Sequence, residues 1–245
     1  MSAICGSGGH PGNTGLDVIA RQSRVADLLA SGRMPSTLAD VSGNLEPGSN
    51  YASSYLAPGE VLQMTWQGGG GYGDPLTRDP EAVARDVREE RVTVGGAHAV
   101  YGVVLENGVV NEVATGAERA RLREVRRDRS RVLRVPSGRK ADVSTARRLD
   151  DNVIEAMDGP TAVVACGHCA EILGEAGAPD DDLALAVYEG QSTDAGPQII
   201  ADPADYIDAE VVFRQYCCPS CWTPFSSAVV PADHVTAPLG GVSRA

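Results

Sequence analysis

Aromatic residues and lysine are scarce in this sequence. Only 4% of its 245 residues are aromatic, including two Phe and two Trp, so we expect a core of Val, Leu, Ile and Ala. Long hydrophobic runs are also missing, and no stretch approaches the roughly 20 apolar residues that a membrane-spanning helix needs. The first residues lack the charged and apolar regions of a signal peptide. We therefore expect a cytoplasmic protein without a membrane segment.

The charge is mostly negative but unevenly distributed. The chain has 33 acidic and 21 basic residues, for a net charge of −12, which argues against nucleic-acid binding. Residues 119–148 reverse this balance, because they hold 12 of the basic residues and only three acids. This Arg-rich segment is either a solvated face or a docking surface for an acidic partner.

Six cysteines are present, and four of them form two C-x₂-C pairs. The first pair is Cys166 and Cys169, the second is Cys218 and Cys221, and 48 residues separate the pairs. Two such knuckles supply the four thiolates of a closed structural zinc site, in which no position stays open for catalysis. Each pair follows an apolar run, which predicts a zinc-ribbon layout.

Other interpretations of the cysteines stay open from the residues alone. His168 and Cys217 lie beside the predicted ligands, and either one can replace a neighbour in the metal site. The pairs can also be unrelated core cysteines, or a thioredoxin-like redox pair, which needs a βαβ context. Cys5 lies alone in a glycine-rich segment, and we assign no function to it.

Glycine-rich segments occur twice before the cysteines. Residues 6–15 predict a loop, because no regular element tolerates that composition. Gly68–Gly73 matches G-x-G-x-x-G, but Asp74-Pro75 follows where a dinucleotide-binding loop needs a helix. We interpret it as a turn that allows close backbone packing. The preceding Val61–Gln67 alternates like a strand, and we expect another chain to complete its sheet.

Together these patterns predict an α+β protein with two parts. Residues 1–143 form a mixed, β-rich module with short helices, and residues 144–245 form a small zinc-ribbon-like β domain. The boundary rests on proline, glycine and a change from basic to acidic sequence. Local signals place the elements of the first module: a helix start at Asp79-Pro80, a second helix from Thr93 to Gly102, a hairpin at Asn107-Gly108 and a third helix capped by Thr115.

The first module resembles the C-terminal end of hydantoinase B proteins. The likeness covers roughly residues 6–130 and rests above all on the run from Gly68 to Leu76, with Arg78–Val83 and Tyr101–Val104. That family includes the large subunits of acetone and acetophenone carboxylases and part of 5-oxoprolinase. Most of a hydantoinase B protein, including the catalytic metal ligands of the carboxylases, lies before the region matched here.

The second module resembles the small gamma subunit of acetone carboxylase, a zinc-binding accessory subunit. Besides the two cysteine knuckles, the likeness includes Gly196-Pro197, Asp202-Pro203, Tyr206–Asp208 and Phe213–Tyr216. The two resemblances together imply a large-subunit tail fused to a gamma-like zinc domain. Its implied partners are a hydantoinase A-like ATPase subunit and a truncated hydantoinase B-like large subunit, in a hetero-oligomer.

The sequence offers no complete active site. We find no activated nucleophile, phosphate cradle or carboxylate metal cluster, so we expect the chain to be non-catalytic alone. The resemblance implies a small zinc-containing subunit of an ATP-dependent ketone carboxylase, with an assembly role. Two alternatives remain: a subunit of an ATP-dependent hydantoinase- or oxoprolinase-type cyclic amide hydrolase, and a free-standing zinc-ribbon interaction protein.

Overall fold

The structure, a computed structural model, describes residues 5–48, 53–234 and 238–239. It is a mixed α+β fold with β-rich sheets and short helices, which confirms the predicted fold class. The strands are β1 Leu16–Arg21, β2 Asn44–Pro47, β3 Val61–Thr65, β4 Leu105–Glu106, β5 Val109–Val110, β6 Arg131–Val132, β7 Asp142–Arg148, β8 Val153–Asp158, β9 Thr161–Cys166, β10 Ile172–Glu175, β11 Ala186–Gln191, β12 Val211–Cys217 and β13 Pro224–Pro231. The helices are α1 Val25–Ala30, α2 Leu38–Val41, α3 Pro80–Arg88, α4 Val94–Tyr101 and α5 Glu112–Arg129. No helix in the described ranges has the length and apolarity to cross a bilayer.

The first sheet is three-stranded and antiparallel, in the order β2-β1-β3. Its strand β3 confirms the strand predicted at Val61–Gln67. The expectation that another chain supplies the other strands of this sheet is wrong, because β1 and β2 come from the same chain, and Ile19 of β1 lies opposite Leu62 of β3. Strand β1 could not be predicted from its sequence, because its apolar residues are consecutive and do not alternate with polar ones.

The local signals between residues 79 and 111 are confirmed. Asp79 accepts a hydrogen bond at the start of α3, Thr93 does so at the start of α4, and Gly102 ends α4 in the left-handed conformation. The Asn107-Gly108 turn joins β4 and β5 into a hairpin.

The predicted cap of the third helix is wrong. Helix α5 begins at Glu112, and the side chain of Asn111 accepts the capping hydrogen bond from Ala114. Thr115 is buried inside the helix, where its hydroxyl accepts a hydrogen bond from the backbone of Val104. The Thr115 side chain, which the local pattern assigned to a helix cap, therefore makes a tertiary contact with Val104 instead.

Two four-stranded antiparallel sheets, β10-β9-β8-β7 and β13-β12-β11-β6, contribute to one buried cluster. The cluster contains Val153, Val164, Cys166, Leu173, Leu183, Leu185, Cys218, Phe225 and Leu239. Burying such aliphatic and aromatic side chains stabilises the fold by about 1.5–3 kcal/mol each. Strand β6 lies before residue 143, yet it pairs with β11, which lies after it. One sheet therefore contains strands from both sides of the predicted domain boundary. That boundary stays a prediction.

The two glycine-rich segments lie against each other, backbone to backbone. The amide of Gly6 donates to the carbonyl of Gly71, and the amide of Gly71 donates to the carbonyl of His10. A Cβ on Gly9 would lie 2.2 Å from the carbonyl oxygen of Gly71, which no side chain tolerates. This contact confirms that the Gly68–Gly73 segment serves close backbone packing.

Candidate metal centre

The four cysteines of the two C-x₂-C pairs meet in one cluster. Their Sγ atoms all lie within 4.8 Å of one another. Two short contacts cross between the pairs: Cys166 Sγ is 3.6 Å from Cys221 Sγ, and Cys169 Sγ is 3.7 Å from Cys218 Sγ. None of the four forms a disulfide. The fold thus brings together every residue that the sequence predicted as a ligand.

Each pair sits in a knuckle with the same backbone hydrogen bonds. In the first, the Cys166 amide donates to the Glu171 carbonyl, and the Ala170 amide donates to the Cys166 carbonyl. In the second, the Cys218 amide donates to the Thr223 carbonyl, and the Trp222 amide donates to the Cys218 carbonyl. The residue after the second cysteine has positive φ in both, 58° at Ala170 and 63° at Trp222.

The cluster fits a tetrahedral thiolate-bound metal ion. Zinc–sulfur bonds of about 2.3 Å in a tetrahedron place neighbouring sulfurs about 3.8 Å apart, close to the two cross-pair distances. Four sulfur donors without carboxylate or water positions are typical of structural zinc, and a closed set leaves no position for substrate. The described residues can therefore hold a metal ion at this place.

The thiols of the cluster affect one another's protonation. Contacts with the Cys166 and Cys221 thiols, together with burial, raise the pKa of Cys218. Hydrogen bonds from Cys166 and Cys218 lower the pKa of Cys221. Four adjacent thiolates repel one another, and only a bound cation lets all four ionise together.

The two spare candidates lie outside the thiol cluster. His168 Nε2 is 2.7 Å from the side-chain oxygen of Asn152. The Cys217 thiol points to the side-chain oxygen of Gln215 at 3.7 Å, and burial raises the pKa of Cys217 to about 12. Cys217 therefore stays a neutral thiol at pH 7.

Asn152 ties the first knuckle to the N-terminal glycine-rich segment. Its side-chain oxygen contacts His168, and its amide nitrogen donates to the carbonyls of Ser7, at 2.6 Å, and Pro224, at 3.0 Å. Gly8 packs so closely on Pro224 that a Cβ would lie 2.1 Å from the Pro224 carbonyl oxygen. No local pattern predicts this link, because the residues involved are far apart in the chain.

Arg126 ties the second knuckle to the other glycine-rich segment. Its guanidinium forms two hydrogen bonds of 3.0 and 3.1 Å with the carboxylate of Asp74, directly after Gly68–Gly73. A third bond, of 2.8 Å, goes to the carbonyl of Trp222. Arg126 is almost buried, so this part of the Arg-rich segment is neither a solvated face nor a docking surface.

Comparisons with known proteins find no matching family model. Part of the chain is similar to subunits of two known enzymes. The caprolactamase subunit beta of Pseudomonas jessenii is 50% identical over 64 residues, which cover 26% of this chain and 11% of that protein. The acetone carboxylase alpha subunit of Xanthobacter autotrophicus is 30% identical over 143 residues, which cover 49% of this chain and 18% of that protein.

Further matches are also partial. An uncharacterized protein of Methanocaldococcus jannaschii is 34% identical over 61 residues, covering 25% of this chain and 11% of that protein. A nucleotide-free acetone carboxylase structure, from work on ATP-dependent acetone carboxylation, is 26% identical with a TM-score of 0.41 and covers 50% of this chain and 19% of that one. The chain thus spans less than a fifth of the relatives that it matches. The gamma-like character of the cysteine-bearing part stays a prediction.

Proposed function

We propose that this chain is a zinc-containing, non-catalytic subunit of a multi-subunit, ATP-dependent ketone carboxylase. In this proposal it supplies the C-terminal portion of a hydantoinase B-like large subunit together with a structural metal domain. Its partners are a hydantoinase A-like ATPase subunit and a hydantoinase B-like chain that carries the rest of the large subunit. The complex is cytoplasmic.

The observation that carries the proposal is the similarity of half of this chain to the acetone carboxylase alpha subunit. That similarity spans only 18% of the relative, so the proposal assigns to this chain only the matched portion of such a subunit. The closed cysteine set supports a structural role for the metal ion, since four thiolates leave no site for substrate.

The residues of this chain act by holding the two glycine-rich segments in place. Asn152 fixes the segment around Ser7 and Gly8, and Arg126 fixes Asp74 after Gly68–Gly73. When bound, zinc supplies a cross-link between the two knuckles. His168 of the first knuckle contacts Asn152, and Trp222 of the second accepts a hydrogen bond from Arg126. The catalytic steps take place on other chains.

Affinity purification of the tagged chain from its native host tests the assembly. We expect stoichiometric recovery of the ATPase-like and large-subunit-like chains, and ATP hydrolysis that depends on both a ketone and bicarbonate. Omitting this chain from the reconstituted complex should abolish that activity. Recovery of a free monomer, or full activity without this chain, would contradict the proposal.

A second candidate is a subunit of an ATP-dependent cyclic amide hydrolase. The 50% identity to the caprolactamase subunit beta favours it, since this is the higher of the two identities to named relatives. The same purified complex separates the two candidates. Ring opening of a lactam without ketone-dependent bicarbonate fixation would favour the hydrolase, and the reverse result would favour the carboxylase.

A further inference from the structure

A small pocket of about 130 Å³ lies between helices α4 and α5 and strands β11 and β12. Its volume is close to the roughly 150 Å³ of an apolar cavity that holds one benzene molecule. Among the described residues that line the pocket, none is a cysteine, so it is separate from the metal centre. Its apolar walls are formed by Leu76, Ala99, Val100, Leu122, Val125 and Phe213.

Three rings stand along one side of this pocket. The centroid of the His10 ring lies 6.0 Å from that of Phe213, and the Phe213 centroid lies 6.1 Å from that of Tyr188. All three residues line the pocket. Such walls favour a flat, apolar ligand, because rings attract one another when they stack with an offset or meet edge to face.

The charged side chains at the pocket neutralise one another. Arg126 pairs with Asp74 at 3.0 Å, and Arg129 pairs with Asp194 at 3.1 Å. The hydroxyl of Tyr188 donates a hydrogen bond to the same Asp194 carboxylate. Two guanidinium groups and two carboxylates leave no net charge, so the pocket favours a neutral ligand over an anion or a cation.

His10 presents an unused hydrogen-bond acceptor at this pocket. Its ring donates to the backbone of Ala195, while its Nδ1 is buried without a partner among the described residues, so Nε2 is the donor. Burial lowers the pKa of His10, and the nearby Arg126 charge lowers it further, so the ring is neutral at pH 7. The bare Nδ1 can therefore accept a hydrogen bond but cannot donate one.

A buried acceptor without a partner is rare and calls for an explanation. A water molecule alone fits poorly, since buried waters typically make about three hydrogen bonds. Nδ1 of His10 is the only buried side-chain nitrogen or oxygen without a partner in the described part of the chain. Gln215, which also lines the pocket, already donates to Ser227. A ligand with one donor and an apolar body would satisfy Nδ1 and also bury apolar surface.

We propose that this pocket binds a small neutral ring molecule, no larger than benzene, that carries one N–H or O–H donor. The donor hydrogen-bonds to Nδ1 of His10, and the apolar body of the ligand packs on Val100, Leu122 and Phe213.

Histidine-selective ¹⁵N NMR on the full chain tests this binding. The chain has four histidines, and only His10 lines the pocket, so His98, His168 and His234 act as internal controls. Pyrrole, a neutral ring with one N–H, should shift the Nδ1 signal of His10 upfield and saturably, as a nitrogen acceptor does when it gains a hydrogen bond. Furan has the same shape without a donor, and it should bind about tenfold more weakly because Nδ1 stays unpaired.

Removal of the acceptor should remove the preference for a donor. His10→Phe keeps a ring in the aromatic wall, so pyrrole and furan should bind to this variant equally in ligand-observed NMR titrations. His98→Phe, at an exposed position on α4, should keep the preference of the wild type for pyrrole.

Filling the pocket gives a second test that leaves His10 in place. Val100→Phe should abolish the pyrrole-induced shift, because the larger side chain occupies the pocket. Val94→Phe, on the same helix but exposed and outside the pocket lining, should leave the shift unchanged.

Three outcomes would overturn the proposal. One is an Nδ1 signal that already shows a hydrogen bond in the free protein and does not respond to pyrrole, which would indicate a bound water. The others are equal binding of furan and an equal shift with acetate, an anion without a donor. Because these titrations measure binding and not activity, a negative result leaves the assembly proposed above standing.

Discussion

At the scale of single residues, the cysteine knuckles show how local spacing sets a metal site. Two residues between cysteines are enough to turn both thiols in one direction, so the four candidate ligands were predictable. The positive φ at Ala170 and Trp222 was not, since glycine is the residue that usually signals this conformation. The roles of His168 and Cys217 were also undecidable from spacing, because each is adjacent to a ligand.

Single substitutions should separate ligands from neighbours. We expect Cys218→Ser to lose the bound metal, because three thiolates and a hydroxyl bind zinc far more weakly than four thiolates. Cys217→Ser and His168→Gln should retain the metal at the wild-type ratio, since their side chains contact Gln215 and Asn152 instead. Metal-to-protein ratios of the purified variants check this. Loss of metal from Cys217→Ser with retention in Cys218→Ser would reverse the assignment.

At the scale of elements, helix α5 connects the Gly68–Gly73 segment with the second cysteine knuckle. Arg126 on this helix pairs with buried Asp74 and also reaches the second knuckle. Burial raises the pKa of Asp74, but the charge and hydrogen bonds of Arg126 outweigh that effect and lower it. The ionised pair therefore stabilises the fold above the unfolded-state pKa of about 4, and this contribution is lost as the pH falls through the lower, folded-state pKa.

Replacement of Arg126 should be costly. Arg126→Met leaves the buried Asp74 carboxylate without its partner, which costs about 3–5 kcal/mol in similar cases. Arg127→Met, one position along the same helix, removes only an exposed pair with Asp128 and should leave the unfolding midpoint nearly unchanged. Urea unfolding at pH 7 measures both. Similar urea midpoints for the two variants would show that the Arg126–Asp74 pair does not stabilise the fold.

The elements also show where sequence reasoning stops. The starts of α3 and α4 and the β4–β5 hairpin depend on neighbouring residues, so caps and turn signals located them. Strand pairing depends on distant residues. The pairing of β3 with β1 and of β6 with β11 was therefore not predictable. Thr115 was misassigned for the same reason, since the backbone of Val104 uses its hydroxyl.

At the scale of the whole molecule, the metal centre and the glycine-rich segments form one connected structure. Asn152 links the first knuckle to Ser7, and Arg126 links the second knuckle to Asp74. Structural metal binding contributes folding free energy. Loss of the metal ion should therefore destabilise both glycine-rich segments, although they lie far from the four ligand cysteines in sequence.

Removal of the metal should increase backbone exchange at a distance. We expect a chelator to raise hydrogen exchange in residues 6–13 and 69–74 as well as in the knuckles. The α3–α4 region has its own apolar cluster around Val83, Ala97 and Val103, and it serves as the internal control with unchanged exchange. Faster exchange in the knuckles alone would contradict a coupling between the metal site and the glycine-rich segments.

The central claim is that four thiolates of this chain hold one structural zinc ion. X-ray absorption at the zinc edge, combined with metal analysis of the purified chain, tests it most directly. We expect about one zinc per chain, bound by four sulfur atoms at about 2.3 Å with no nitrogen or oxygen neighbour. Protein without metal, a disulfide between Cys166 and Cys169, or a mixed sulfur and nitrogen shell would contradict it.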